Sequence, residues 1–172
     1  EEGVQNLVVD ASNTWVASGG ANLSLDENQI WVGASGVRVN TVAAGDGGTH
    51  TINYNNHYLF DSNTYTMGLR LLSTTGSTSA RLVFTLGHHT NSAATTAVMD
   101  TAVWKPFYLS NTISADANQT GITGSITIQQ LHNGGTDGGA LFNLDGLFFK
   151  EGDFPSKFVR PDRIRKGGQI YG

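Results

Sequence analysis

The segment that most constrains the fold is residues 137–155, one long and strongly apolar extended stretch. It opens with the turn signal Asp137-Gly138-Gly139 and closes on the charged and turn residues 150–153. Alternate side chains of an extended chain point to opposite faces. One face then carries Phe142, Leu144 and Phe148, and the other carries Leu141, Leu147 and Phe149. A strand that is apolar on both faces predicts a central position, covered on both sides.

Two polar side chains, Asn143 and Asp145, interrupt this apolar strand. Burying a carboxylate alone is too costly, so such a group is paired, hydrogen-bonded or bound to a metal. We therefore expect Asp145 to have specific partners.

Much of the remaining chain consists of short stretches with period-2 alternation, spaced 8–12 residues apart as in β-sandwiches. The clearest are residues 65–71 and 82–86, which we expect to form an antiparallel pair joined by a turn at residues 73–79. Further strands are expected at residues 4–10, 21–25, 30–32, 37–40, 49–54 and 122–131, and one or two more within residues 98–109, where Pro106 predicts an edge or a bulge. A loop is expected at residues 88–96 and a core anchor at Trp15.

No stretch shows the apolar spacing of an amphipathic helix, and only 14% of residues are charged while 22 are glycine. This composition favours strands and turns over helices. Residues 1–153 are therefore predicted to form an all-β, two-sheet antiparallel β-sandwich of the jelly-roll type, because closure of the two sheets limits exposed edges.

Charge divides the chain into an acidic body and a basic tail. Residues 1–153 contain five Lys/Arg and thirteen Asp/Glu, a net of −8, whereas residues 154–172 contain five Lys/Arg and one Asp, a net of +4. An acidic body excludes nucleic acid as the expected partner. The tail is predicted to be a linker or a docking segment that contacts a neighbouring subunit or a second domain. The residues expected to make this contact are Phe158, Arg160, Arg163, Arg165 and Lys166.

Several function classes are disfavoured by what the sequence lacks. There is no cysteine, hence no disulfide and no thiol nucleophile, and no Gly-x-Ser-x-Gly or His-Glu-x-x-His motif. No pair of carboxylates is singled out for glycoside hydrolysis. No apolar run approaches the ~20 residues of a membrane helix, so membrane insertion is not expected. We expect a protein that is not an enzyme.

Sugar binding requires flat aromatic faces together with short polar side chains. The candidate residues are Trp31, Tyr54, Tyr58, Trp104 and Tyr108, with Asn56, Arg70 and Gln129 as polar partners. The alternative is that most of these aromatic side chains belong to the core or its rim. For Trp15, which is not one of the candidates, a core position is favoured. Tyr54 and Tyr58 lie among asparagines, which favours exposure. The pair His88-His89 is interpreted as a solvated loop, because adjacent strand side chains face opposite ways.

The order of motifs resembles the carbohydrate-binding-module jelly rolls of glycoside hydrolases and of tailed-phage fibre, tailspike and other virion proteins. The motifs are Asn6-Leu7-Val8, Trp15, Gly36-Val37-Arg38-Val39, Tyr65-Thr66-Met67-Gly68-Leu69, Trp104 with Pro106-Phe107, and Phe142-Asn143-Leu144-Asp145-Gly146-Leu147 with Glu151-Gly152. The resemblance covers residues 4–153, and residues 154–160 resemble the exits of such modules.

This resemblance implies a structural Ca²⁺ near Asp145. Asp10, Asp26 and Glu27 are the candidates for further oxygen ligands. The family often has two consecutive acidic residues here, whereas this chain has Asp145-Gly146. It also implies a non-catalytic adhesion module that binds cell-surface polysaccharide. The module would belong to a virion surface or tail, or to another extracellular assembly. It would form a homo-oligomer, with a trimer favoured. The alternatives are a purely structural virion module without a sugar ligand, and an accessory domain of a polysaccharide-degrading enzyme.

Overall fold

The computed structural model describes residues 15–53, 63–86, 92–112, 123–133 and 138–152. These ranges form ten β-strands, in keeping with their alternating apolar residues. The strands are β1 (Trp15–Ser18), β2 (Asn22–Asp26), β3 (Gly36–Asn40), β4 (Gly47–Asn53), β5 (Thr64–Ser73), β6 (Thr78–Leu86), β7 (Ser92–Met99), β8 (Lys105–Thr112), β9 (Thr123–Asn133) and β10 (Leu141–Glu151). Within the same ranges, no helix is long and apolar enough to cross a membrane.

The ten strands form two five-stranded antiparallel sheets that pack as a jelly-roll β-sandwich, which confirms the predicted fold class. The first sheet has the order β1-β4-β9-β6-β7 and the second has the order β2-β3-β10-β5-β8. Strand β10 lies at the centre of the second sheet, between β3 and β5. The segment predicted to be central is therefore central.

The core lies between the two inner faces and contains large side chains from both sheets. Met67, Phe84 and Ile126 are fully buried there. The Tyr65 and Phe149 rings stack with centroids 5.4 Å apart. Trp15 is buried in the same cluster, as predicted.

A β-bulge in β10 overturns the prediction that Phe148 shares a face with Phe142 and Leu144. Asp145 pairs with Arg70 and Phe148 pairs with Gly68, so three residue steps on β10 oppose two on β5. Gly146 occupies the bulge with φ 63°, a conformation that glycine adopts without strain. The extra residue reverses the alternation, so Phe149 enters the core and Phe148 faces the other side.

The predicted pairing of residues 65–71 with residues 82–86 is wrong. Strand β5 pairs with β10 and β8 in the second sheet, whereas β6 pairs with β9 and β7 in the first. Residues 74–77 therefore carry the chain from one sheet to the other. Both β5 and β6 turn alternate side chains to the core, and that pattern is the same whether two strands lie side by side or face each other across the core.

Two further local predictions are corrected. Residues 30–32 form a loop rather than a strand, because carboxylates of Asp26 and Asp145 accept hydrogen bonds from the backbone of residues 28–32. The loop expected at residues 88–96 is wrong from residue 92 onwards, because β7 begins at Ser92. Pro106 lies on the edge strand β8, as predicted. The strand predicted at residues 4–10 and the tail 154–172 lie outside the described residues.

Candidate functional site

The candidate site is the outer face of the second sheet, the face turned away from the core. Strand register places its side chains in three successive rows across β10, β5 and β8. The rows are Asp145–Arg70–Pro106, then Phe148–Gly68–Tyr108, then Lys150–Thr66–Ser110. Three predicted sugar-binding residues meet here, because Trp31 lies over Arg70 and Tyr108 follows in the next row.

Trp31 and Arg70 form a cation–π pair. The Cζ atom of the Arg70 guanidinium lies 4.0 Å from the centroid of the Trp31 ring. Both side chains are half-buried. The contact fixes a guanidinium against an aromatic ring at the surface of the sheet.

Asp145 fastens the loop that carries Trp31, which we call the Trp31 loop (residues 27–35). One oxygen of Asp145, Oδ2, accepts hydrogen bonds from the backbone N–H groups of Trp31 at 2.8 Å and Val32 at 2.9 Å. The other oxygen accepts one from the N–H of Gly146 at 2.5 Å. Burial raises the pKa of Asp145, although these three hydrogen bonds act in the opposite direction.

Asp26 fastens the start of the same loop. Its Oδ1 accepts from the N–H groups of Asn28 at 2.8 Å and Gln29 at 3.1 Å. Its Oδ2 accepts from Nδ2 of Asn143 at 2.9 Å and pairs with Nε of Arg38 at 3.1 Å. Burial alone would raise the pKa of Asp26, but these hydrogen bonds and the Arg38 charge outweigh it and lower the pKa. The loop is thus held by two carboxylates from two strands.

Tyr108 and Phe148 form an aromatic platform over Gly68. Their ring centroids lie 5.9 Å apart. A Cβ atom at Gly68 would come within 2.6 Å of Phe148 Cζ and 2.7 Å of Tyr108 Cδ1, so only glycine lets both rings approach the strand this closely. Tyr108 is 37% exposed and is the only exposed Phe, Tyr or Trp in the described ranges.

The other predicted site residues are not among the three rows described above. Trp104 is half-buried immediately before β8. Gln129 lies on β9, on the outer face of the first sheet, and is therefore separated from Trp31 and Tyr108 by the whole sandwich. Outside the described residues lie Tyr54, Asn56, Tyr58, Asp10, Phe158, Arg160, Arg163, Arg165 and Lys166.

The described residues contain no group of three His, Asp or Glu side chains placed to hold a metal ion. Asp26 and Asp145 lie on β2 and β10, with β3 between them. Their carboxylate oxygens accept hydrogen bonds from N–H groups of the chain. The Ca²⁺ site implied by the sequence resemblance stays a prediction.

A further carboxylate, Asp46, joins two turns at one end of the sandwich. It accepts hydrogen bonds from the N–H groups of Gly20 at 2.7 Å, Val42 at 2.9 Å and Ala43 at 3.0 Å. These bonds lower the pKa of Asp46. The residue stabilises the turn after β1 and the loop after β3, neither of which belongs to the Trp31 loop.

Sequence reasoning missed Phe148 and Gly68 as parts of this face. Strict alternation predicts Phe148 on the same face as Phe142 and Leu144, and the bulge at Gly146 turns it to the opposite face. Gly68 did carry a signal, since it is the only glycine within the alternating segment 65–71, and an isolated strand glycine often marks a close approach.

The two sheets and their strand order define a jelly-roll β-sandwich, and carbohydrate-binding modules share this fold. No protein-family model and no curated protein matches the sequence. The CBM22-1 xylan-binding domain from Paenibacillus barcinonensis matches with a TM-score of 0.57 at 13% identity, over 86% of this chain and 92% of that one. The CBM22-2 xylan-binding domain of the same organism matches with a TM-score of 0.59 at 13% identity, over 87% and 98%.

Carbohydrate-binding modules within larger enzymes match as well. The CBM22-1–GH10 modules of a Clostridium thermocellum endo-1,4-beta-D-xylanase, complexed with xylohexaose, match with a TM-score of 0.61 at 15% identity. The match covers 89% of this chain but 29% of the enzyme chain. Identities this low establish a shared fold. The fold is therefore that of a carbohydrate-binding-module-like jelly roll, as the sequence resemblance implied.

Proposed function

We propose that this chain is a non-catalytic carbohydrate-binding module that holds a polysaccharide on the outer face of its second sheet. One observation carries the proposal: the exposed Tyr108 ring lies in the row next to the Trp31–Arg70 pair on a single sheet face. The xylan-binding domains that share the fold support a glycan as the ligand.

The residues of this face suit sugar binding through stacking and hydrogen bonding. Tyr108, held by Phe148 at 5.9 Å, offers a ring against which the C–H face of a pyranose can stack. Arg70 supplies N–H donors for hydroxyl or other oxygen acceptors. Because Trp31 and Phe148 hold these two side chains before the ligand arrives, little conformational entropy is lost on binding.

The carboxylates of this face are suited to holding structure rather than to acid–base chemistry. Asp26 and Asp145 each accept hydrogen bonds from two or more backbone N–H groups. A general acid must instead present its proton to the substrate. This arrangement supports binding without catalysis.

The test is affinity electrophoresis in gels containing a panel of polysaccharides, followed by calorimetric titration of the polymer that retards the chain most. Tyr108→Ala should raise Kd by about 5–10-fold, because an aromatic stacking contact contributes about 1 kcal/mol. The matched control is Gln129→Ala, a predicted sugar-binding residue on the opposite sheet, which should leave Kd unchanged. Equal losses from both variants, or no retardation by any polymer, would contradict the proposal.

The biological setting follows from the sequence resemblance and is also a proposal. One setting is adhesion of a phage or other virion protein to cell-surface polysaccharide, for which a trimer is expected. The other is an accessory domain of a polysaccharide-degrading enzyme, and the match to one segment of a longer xylanase chain favours it. Light scattering separates the two, since an accessory domain should be monomeric.

A further inference from the structure

Arg70 is a cation whose hydrogen-bonding capacity is unused within the described residues. The two ion pairs formed by described residues join Arg38 to Asp26 and Lys105 to Asp100. Among these residues the Arg70 guanidinium makes neither an ion pair nor a hydrogen bond, and its contact is with the face of the Trp31 ring. A half-buried guanidinium with five N–H donors and no oxygen partner is a candidate for binding an external acceptor.

The position of this guanidinium is set by its surroundings. Cζ of Arg70 lies 4.0 Å from the Trp31 ring centroid, and Asp145 holds the Trp31 backbone at 2.8 Å. Contact through the ring face leaves the N–H donors of the guanidinium available to other groups. A guanidinium fixed in this way binds a carboxylate through two parallel hydrogen bonds at a lower entropic cost than a mobile one.

The neighbouring carboxylate of Asp145 does not neutralise Arg70 directly. The two residues pair across β10 and β5, yet they form no ion pair. Asp145 instead accepts three hydrogen bonds from backbone N–H groups. The positive charge of Arg70 therefore stands beside the exposed Tyr108 ring without an oxygen contact from this carboxylate.

We propose that the glycan bound on this face is acidic, with Arg70 binding the carboxylate of a uronate residue while Tyr108 supports a sugar ring beside it. This inference rests on the proposed function and specifies its ligand class. Residues 1–153 carry a net charge of −8, so long-range attraction does not draw an acidic polymer to the body. Recognition must then be local, and a bidentate guanidinium–carboxylate contact supplies it.

The decisive experiment compares one polymer with its own neutral derivative. Glucuronoxylan is titrated before and after chemical reduction of its uronate carboxylates to primary alcohols. The wild-type chain should bind the native polymer at least tenfold more tightly than the reduced one, because a charge-assisted hydrogen-bond pair is lost. Equal affinity for both would overturn this inference and leave the proposed function standing. Binding to neither would count against both. Tighter binding to a sulfated polymer than to the uronate polymer would also overturn it.

Arginine variants test whether Arg70 is the residue that binds the uronate carboxylate. Arg70→Met should lower affinity for native glucuronoxylan to the value for the reduced polymer, and Arg70→Lys should lose part of the preference because it keeps the charge but not the planar fork. The matched control is Arg81→Met, which removes an exposed arginine from the first sheet. An equal loss in Arg81→Met would show a general charge effect and overturn the assignment to Arg70. Denaturation midpoints of all three variants verify that each one folds. The comparison of native with reduced polymer uses the wild-type chain and does not depend on any variant.

Discussion

Replacing Asp145 with asparagine separates the role of this carboxylate in holding the Trp31 loop from its role in the fold. The carboxylate has two acceptor oxygens, one for Trp31 and Val32 and the other for Gly146. Asparagine is nearly the same size but has only one acceptor oxygen, and its NH₂ group cannot accept a hydrogen bond. At least one of the three N–H donors therefore loses its partner.

The expected change in stability is small because two effects oppose each other. An unsatisfied N–H donor costs about 1 kcal/mol at a half-exposed position, the lower end of the range for buried groups. Burial raises the pKa of Asp145, which means that the fold disfavours its ionised form, and asparagine removes that charge. The free energy of unfolding should therefore change by less than about 1 kcal/mol at neutral pH.

Sugar binding should change more than stability. A loss of about 1 kcal/mol in the contacts that hold the loop lowers the fraction of molecules that present Trp31 and Arg70 correctly by up to about fivefold, so the apparent Kd rises by up to about fivefold. Calorimetric titration with the bound polysaccharide and urea denaturation measure the two quantities. Asp100→Asn is the control, because Asp100 forms an exposed ion pair with Lys105 and should affect neither. A Kd for Asp145→Asn within twofold of the wild-type value would refute the role assigned to this carboxylate.

Three further variants test other parts of the structure. Asp46→Asn should lower the free energy of unfolding at neutral pH, and this deficit should shrink as the pH falls below 3.8. A group whose folded pKa is lowered stabilises the fold above its ordinary pKa and ceases to do so once it is protonated in the fold, and urea denaturation at neutral and acidic pH measures the change. Gly68→Ala should displace Phe148, weaken sugar binding and reduce stability by about 1–3 kcal/mol, and unchanged binding would contradict the platform. Gly47→Ala places a Cβ atom against the Ile128 carbonyl, so it should lower the denaturation midpoint without a specific effect on Kd in the fraction that stays folded.

Part of the candidate site could be predicted from residue type alone. Trp31, Arg70 and Tyr108 belong to the aromatic and polar set that the sequence predicts for sugar binding, and the structure brings these three to one face. Gln129 belongs to the same set and lies on the opposite sheet. Residue type identifies what can contact a sugar, but strand order decides which of those residues share a surface.

For Asp145 as well, the sequence predicts one part of its role and the tertiary structure decides the other. Its position in an apolar strand required partners, and the sequence left hydrogen bonding, ion pairing and metal binding open. Its loop partners, Trp31 and Val32, lie more than 110 residues away along the chain. Such contacts depend on how β2, β3 and β10 align, which no local pattern specifies.

The sequence by itself determined that this chain forms short strands in an all-β sandwich, with residues 141–149 at the centre of a sheet. These features are local, because alternation and turn residues act within a few positions. Only the tertiary structure decided that β5 and β6 belong to different sheets and that Phe148 faces outward. The physical reason is that strand pairing is a long-range choice, and one extra residue at Gly146 reverses the faces of every residue that follows it in the strand.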